Sequence, residues 1–218
     1  MADRSPLTPR EKQDIERLKD AGVLVAIDEN QLRLEQSNPR RILVACRDGH
    51  RIWDLMSFQC AIYGSECNHP VLEHGGSVIL GGELPEHLRC KKWRGASFPR
   101  DQVLLADIAE SMAVKETLII DNYAHFPCVF CRMCEFSVLQ CMARHALAKD
   151  RIRTELVPQE MQSQSGKVLV TCHVHVDWFG HKKGDPFKTY FFNRKEFSRW
   201  LKENPHEPTP ETQLLRAA

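Results

Sequence analysis

The chain contains no run of about 18 apolar residues, so it offers no candidate for a transmembrane helix. It has no internal repeat, and outside a proline-bearing tail after Pro205 it has no low-complexity segment, which excludes repeat architectures. Excess charge of either sign is also missing. Thirty basic residues face 29 acidic ones for a formal net charge of +1, so the bulk electrostatics advertise no nucleic-acid or acidic-membrane partner. The N-terminal stretch, Met-Ala-Asp-Arg-Ser, runs into charged amphipathic sequence without an apolar signal core, and the expectation is a soluble, cytoplasmic protein.

What is present is a core-forming composition. Hydrophobic residues make up 42% and charged residues 27%, which places the chain among ordered globular proteins and, at 218 residues, favours one sizeable domain. Nine cysteines are many, but the number is odd and a domain of this size needs no disulfide framework. In a reducing compartment such thiol density suggests metal ligation; the alternative is that the cysteines are small core residues.

Periodicity gives a coarse order of elements. Pro9 to Ala21 reads as a surface helix entered through Thr8-Pro9 and stopped by Gly22. The pieces Val23 to Ile27 and Leu32 to Leu34 flank an Asp28-Glu29-Asn30 turn, as a hairpin or a linker. Arg41 to Ala45 is a continuous apolar run, the signature of a strand buried on both faces, and a helix from Ile52 to Ile62 follows it. Val71-Leu72 and Ser77 to Leu80 suggest short strand and loop, with glycine pairs that mark close backbone approach. Pro85 to Arg100 reads as a basic, solvated connection. Asp101 to Val114 carries a helical stripe, and Thr117 to Ile120 reads as another buried strand with His125 just beyond it. Cys128 to Lys149 reads as one buried helix. Lys167 to Val176 is a strand, Phe187 to Phe192 its hairpin partner, and Arg194 to Glu203 a last helix before a mobile tail. The sum is an α/β fold, a mostly parallel central sheet flanked by helices.

Two loops follow apolar strands, where open α/β sheets bind ligands. The first offers Cys46 and Asp48, the second His125 and Cys128. Zinc favours thiolate and imidazole in a tetrahedral shell, and a catalytic site keeps three protein ligands and one open position. Cys46, His125 and Cys128 supply such a set.

The order Cys-x-Asp, followed about eighty residues later by His-x-x-Cys, resembles the zinc signature of the β-carbonic anhydrases. Over residues 38 to 200 the succession of elements resembles that family too. The resemblance implies a zinc lyase that hydrates carbon dioxide to bicarbonate through zinc-bound hydroxide. It implies Zn2+ on Cys46, His125 and Cys128, with Asp48 as a gating or base-like carboxylate. It also implies a homodimer or higher homo-oligomer, with the N-terminal helix lying on a neighbour.

Two positions depart from the family pattern. His50 stands where the arginine partner of the aspartate is usual, with Arg51 one step later, and Val129 stands where glycine usually follows the second cysteine. The expected catalytic residues are therefore Asp48, His50 and Arg51, with His50 as a proton shuttle. The expected division is an arm and linker over 1–37, a zinc-binding domain over 38–204 and a tail over 205–218.

Other readings remain at this level. The same loops fit a non-catalytic zinc-binding interaction or sensing module, or a hydrolase of a carbon dioxide analogue. Cys128-x-x-Cys131-x-x-Cys134 invites an iron-sulfur cluster, although a continuous helix would present these thiols as a stripe rather than wrap a cluster. His173-x-His175 admits a second metal site, but alternation favours an exposed strand face. The basic stretch with Trp93 and Phe98 admits an anion or nucleic acid; a solvated loop is the simpler reading, and no nucleic-acid or membrane partner is expected.

Overall fold

A computed structural model describes residues 6–27, 40–47, 52–63, 68–117, 119–156, 169–178, 187–205 and 209–217. The Asp28-Glu29-Asn30 turn, Leu32 to Leu34, the loop residues Asp48, His50 and Arg51, and the start of the expected Lys167 strand lie outside the described residues.

Six strands form one sheet: β1 Leu24–Ala26, β2 Arg41–Cys46, β3 Asn68–Glu73, β6 Ile119–Phe126, β7 Leu169–Asp177 and β8 Phe187–Phe192, in the order β1-β8-β7-β6-β2-β3. The four strands from β7 to β3 are parallel, and β8 and β1 extend the sheet antiparallel. The architecture is α/β with a mostly parallel sheet flanked by helices, as expected. β4 Cys90–Trp93 and β5 Ala96–Pro99 form a separate two-stranded hairpin.

Strand alternation sends side chains into two clusters. Ile42, Val44, Ile120, Ala124, Val170 and Val174 enter the larger one, with the helices α1 Pro9–Asp20, α4 Arg100–Lys115, α6 Val138–Glu155 and α7 Arg194–Glu203 contributing to it. Leu43, Ala45 and Tyr123 point the other way, onto Leu55, Phe58 and Ile62 of α2 Ile52–Tyr63. The helix α1 has the expected Thr8 cap, completed as a capping box by Glu11. Its apolar residues Ile15 and Leu18 are buried within this chain.

Several expectations needed correction. β6 runs six residues beyond Ile120, and its first polar residue, Asp121, is fully buried with partners inside the protein. Arg41 donates two hydrogen bonds to Asp121 at 2.6 and 2.9 Å, and Thr171 donates a third at 2.5 Å. Burying such a pair is tolerable only when its hydrogen bonds are met, as they are here. The long helix expected from Cys128 is broken by residues 134–137 into α5 Val129–Met133 and α6, whose cap is Ser137.

Ser77 to Leu80 is not a strand but part of a buried 3-10 segment, Gly76–Gly81. The basic connection contains α3 Glu86–Arg89 and the β4–β5 hairpin. The expected mobile tail instead forms α8 Pro210–Ala217, with Leu215 buried and Glu211 paired to Arg144 at 2.6 Å.

Candidate metal centre

The strand order makes β2 a switch point. The next strand, β3, lies on one side of it and β6 on the other, and crevices at the carboxyl ends of strands so divided are where open α/β sheets hold ligands. Cys46 is the last residue of β2, His125 the next to last of β6, and Cys128 stands at the N-cap position of α5, two residues after β6 ends. Topology thus brings two distant stretches of sequence together at one sheet end.

The three side chains meet. One ligand atom from each of Cys46, His125 and Cys128 lies within 4.8 Å of the others, and all three residues are buried. The two sulfurs are 4.0 Å apart. With a Zn–S bond of about 2.3 Å and tetrahedral angles, two ligand sulfurs sit about 3.8 Å apart, so the donor set fits zinc in both type and spacing. Among the described residues no other group of three or more such side chains converges in this way. Cys128, Cys131 and Cys134 do not, although Cys131 forms a thiol contact with Cys128 and another with Cys141.

Without a cation the two ligand thiols hold their protons firmly. Cys46 is raised well above an ordinary thiol, first by sharing a hydrogen bond with Cys128 and then by burial. Cys128 is raised by its hydrogen bond to Cys131 and by burial. Two buried thiolates side by side would repel, whereas a divalent ion between them reverses that cost and favours ionisation of both.

The loop after β3 supplies the supporting contacts. The Gly75 backbone N–H donates to the Cys46 sulfur at 3.2 Å, a hydrogen bond that stabilises negative charge on that atom. Gly75 adopts φ +86°, and a Cβ there would meet the Phe130 ring at 2.5 Å. At Gly76, with φ +53°, a Cβ would meet the Cys46 backbone nitrogen at 2.7 Å. The glycine pair is therefore required by a ring on one side and a backbone on the other. The 3-10 segment that follows is fixed by the fully buried Arg144, which donates to the carbonyls of Val78, Gly82 and Glu83.

Of the six site residues expected from sequence, Cys46, His125 and Cys128 converge, and Asp48, His50 and Arg51 lie outside the described residues. Val129, the departure after the second cysteine, is the first residue of α5 and is half-buried. The role of Gly75 as a donor to Cys46 was foreshadowed only by the glycine pair, and the contact of Cys131 with Cys128 by the Cys-x-x-Cys spacing.

His173 and His175 correct the expectation of an exposed face. Both are buried, under the rings of Tyr123, Phe187 and Phe191, and each bonds a threonine, Thr171 or Thr189, at 3.0 Å.

Fold and site define an α/β protein with a buried two-cysteine, one-histidine candidate metal centre. Comparisons of the chain with protein-family models, with curated proteins and with solved structures return no match. No helix among the described residues is long and apolar enough to cross a membrane.

Proposed function

We propose that this chain is a carbonic-anhydrase-like zinc lyase that converts carbon dioxide and water to bicarbonate, with the metal on Cys46, His125 and Cys128. The observation that carries the reading is a set of three ligand side chains that converge, among the described residues, at the carboxyl end of a parallel sheet. Three protein ligands leave a fourth position for a reactant, the arrangement of catalytic rather than structural zinc.

Zinc held there supplies Lewis acidity, which makes water a nucleophile at neutral pH. The chain supplies the rest. Two thiolates balance the charge of the dication, and the Gly75 N–H holds the Cys46 sulfur in place. Phe126 and Phe130 are buried in the same apolar cluster as Cys46 and Cys128, and such a low-dielectric surround strengthens charge interactions inside it. Asp48, two residues after the first ligand, serves as the gating or proton-accepting carboxylate, Arg51 as its partner, and His50 carries the proton to solvent.

Elemental analysis combined with stopped-flow carbon dioxide hydration tests this directly. The expected result is one zinc per chain with hydration activity, both lost in Cys46→Ser. Zinc-loaded protein without activity would overturn the lyase, and protein that binds no zinc would overturn the metal centre as well.

One observation favours a second reading, a closed non-catalytic zinc site. The Cys131 thiol contacts Cys128, and a small shift of α5 would offer a fourth sulfur to the ion. In that case the protein would be an interaction or sensing module, and Cys131→Ser would release the metal.

A further inference from the structure

The stretch from His87 to Arg100 holds Arg89, Lys91, Lys92, Arg94 and Arg100 and no acidic residue, in a chain with a net charge of only +1. Balanced bulk charge thus conceals a local concentration of cations. The β4–β5 hairpin that carries most of it pairs with neither edge of the main sheet. Its two-residue turn, Arg94-Gly95, has φ values of 47° and 82°, the tight geometry that keeps two short strands in register.

Register decides which side chains share a face. Lys91 lies opposite Phe98 and Trp93 opposite Ala96. Pairs two residues apart point the same way, so Trp93 and Phe98 are diagonal neighbours on one face, with Lys91 beside them. Small Ala96 leaves the indole uncovered from across the ribbon. Trp93 is 62% exposed and Phe98 42%, although burial of such rings is worth far more than that of any other side chain on the hairpin.

The hairpin is also held firmly. Lys91 and Arg100 bind Glu73 at 3.0 and 2.6 Å, and Arg100 donates to the Leu88 carbonyl at 3.0 Å. Lys92 and Arg94 remain on the exposed part, and the Arg94 guanidinium lies 4.8 Å from the centre of the Trp93 ring.

Lys92, opposite Ser97, projects from the other face of the ribbon, whereas Arg94 sits at the turn beside the Trp93 ring. We infer that this hairpin is a docking surface for a single-stranded polynucleotide, whose bases stack on Trp93 and Phe98 while its phosphates meet Arg94 at the turn and Lys92 around the edge of the two-stranded ribbon. Exposed aromatic rings on a rigid ribbon next to unscreened cations are the two components of sequence-tolerant single-strand binding. A duplex hides its base faces and cannot use the rings. An anionic membrane fits less well, because the turn carries Arg94 and Gly95 with no aliphatic side chain to insert, and the rings project from a strand face. The inference does not depend on the metal centre or its activity.

Anisotropy of fluorescein-labelled oligouridylate and oligothymidylate of about a dozen nucleotides, a length within the usual single-strand site range, tests it. Wild-type protein is expected to bind at least one of them, and preference for either identifies RNA or DNA as the source. Trp93→Ala and Phe98→Ala should each weaken binding about tenfold. For two phosphate contacts, log K should fall against log salt with a slope of about −1.4, and Lys92→Gln should flatten it.

All three substituted positions are exposed, and unchanged circular dichroism and metal content verify the fold. Absence of binding by wild-type protein, binding that survives loss of both rings, or capture by phosphatidylserine vesicles in place of either oligonucleotide would each overturn the inference.

Discussion

The sulfurs of Cys46 and Cys128 lie 4.0 Å apart although 82 positions separate them in the chain. Neither residue reaches the other through local structure. β2 and β6 must pair side by side before the thiols can meet, so the candidate metal centre is a product of sheet topology.

Ligand number separates the two readings of the site. With three ligands, Cys46→Ser and Cys128→Ser should abolish stoichiometric zinc binding, whereas Cys131→Ser should retain one zinc per chain. Inductively coupled plasma mass spectrometry on the purified variants makes the measurement. Loss of zinc from Cys131→Ser would establish the closed site and remove the open position that hydration chemistry needs.

Protons give a second measure. Both candidate thiols are held well above the ordinary thiol value in the metal-free protein, so at neutral pH they are protonated and must ionise to bind zinc. Binding should release about two protons per ion, and affinity should rise with pH by about two decades per unit. Titration of zinc into weakly buffered protein with a pH indicator reads this directly. Release of no protons would mean that the ion is bound elsewhere.

Gly76 is the position where backbone and site are most tightly joined. Gly76→Ala places a Cβ 2.7 Å from the Cys46 nitrogen and holds alanine at φ +53°. Gly22 has φ +69° but open space around it, so Gly22→Ala carries the conformational cost alone. That cost is about 1 kcal/mol. Gly76→Ala should cost at least about 2 kcal/mol and also weaken zinc binding, because the clash must displace Cys46 or the loop. Urea unfolding of both variants, with a zinc competition assay, distinguishes the shared cost from the local one.

Much of this organisation was legible from the sequence where apolar periodicity was strong. β2, β8, α1, α4 and α7 fall close to where their patterns place them, and Cys46, His125 and Cys128 stand out through ligand chemistry and their position after strands. Legibility failed where polar groups are buried with partners. Asp121 looks like the end of a strand but lies fully buried, held by Arg41 from 80 positions away. Arg144 looks like a surface residue of α6, yet it is enclosed by carbonyls and by Glu211, and that pairing turns an apparently mobile tail into α8. Such contacts depend on residues that no local window contains. The Pro85 to Arg100 stretch failed for another reason, because a hairpin of four-residue strands with exposed rings carries too short an alternation to be recognised.

Buried histidines set the response of the fold to acid. Burial lowers His145 to about 3 and His173 to about 4, in the second case against the opposing pull of Asp121. An unfolded histidine titrates near 6.5. Between 6.5 and these lower values the unfolded chain binds protons that the folded one refuses, so stability falls as pH falls through that range and is fully present above it. Each residue contributes about 1.4 kcal/mol per pH unit. Glu11 and Glu73, whose values are lowered by their cationic partners, add to the loss only below the ordinary carboxylate range near 4.5. The urea midpoint should therefore be nearly constant between about pH 7 and 8, below the range in which unfolded thiols ionise, and fall steeply between pH 6 and 5. His145→Gln, which retains a partner for the Ser77 hydroxyl now 2.8 Å from the imidazole, should be less stable at pH 7 but show about half the slope. A midpoint that stays level from pH 7 to 5 would mean that these rings accept protons within the folded protein.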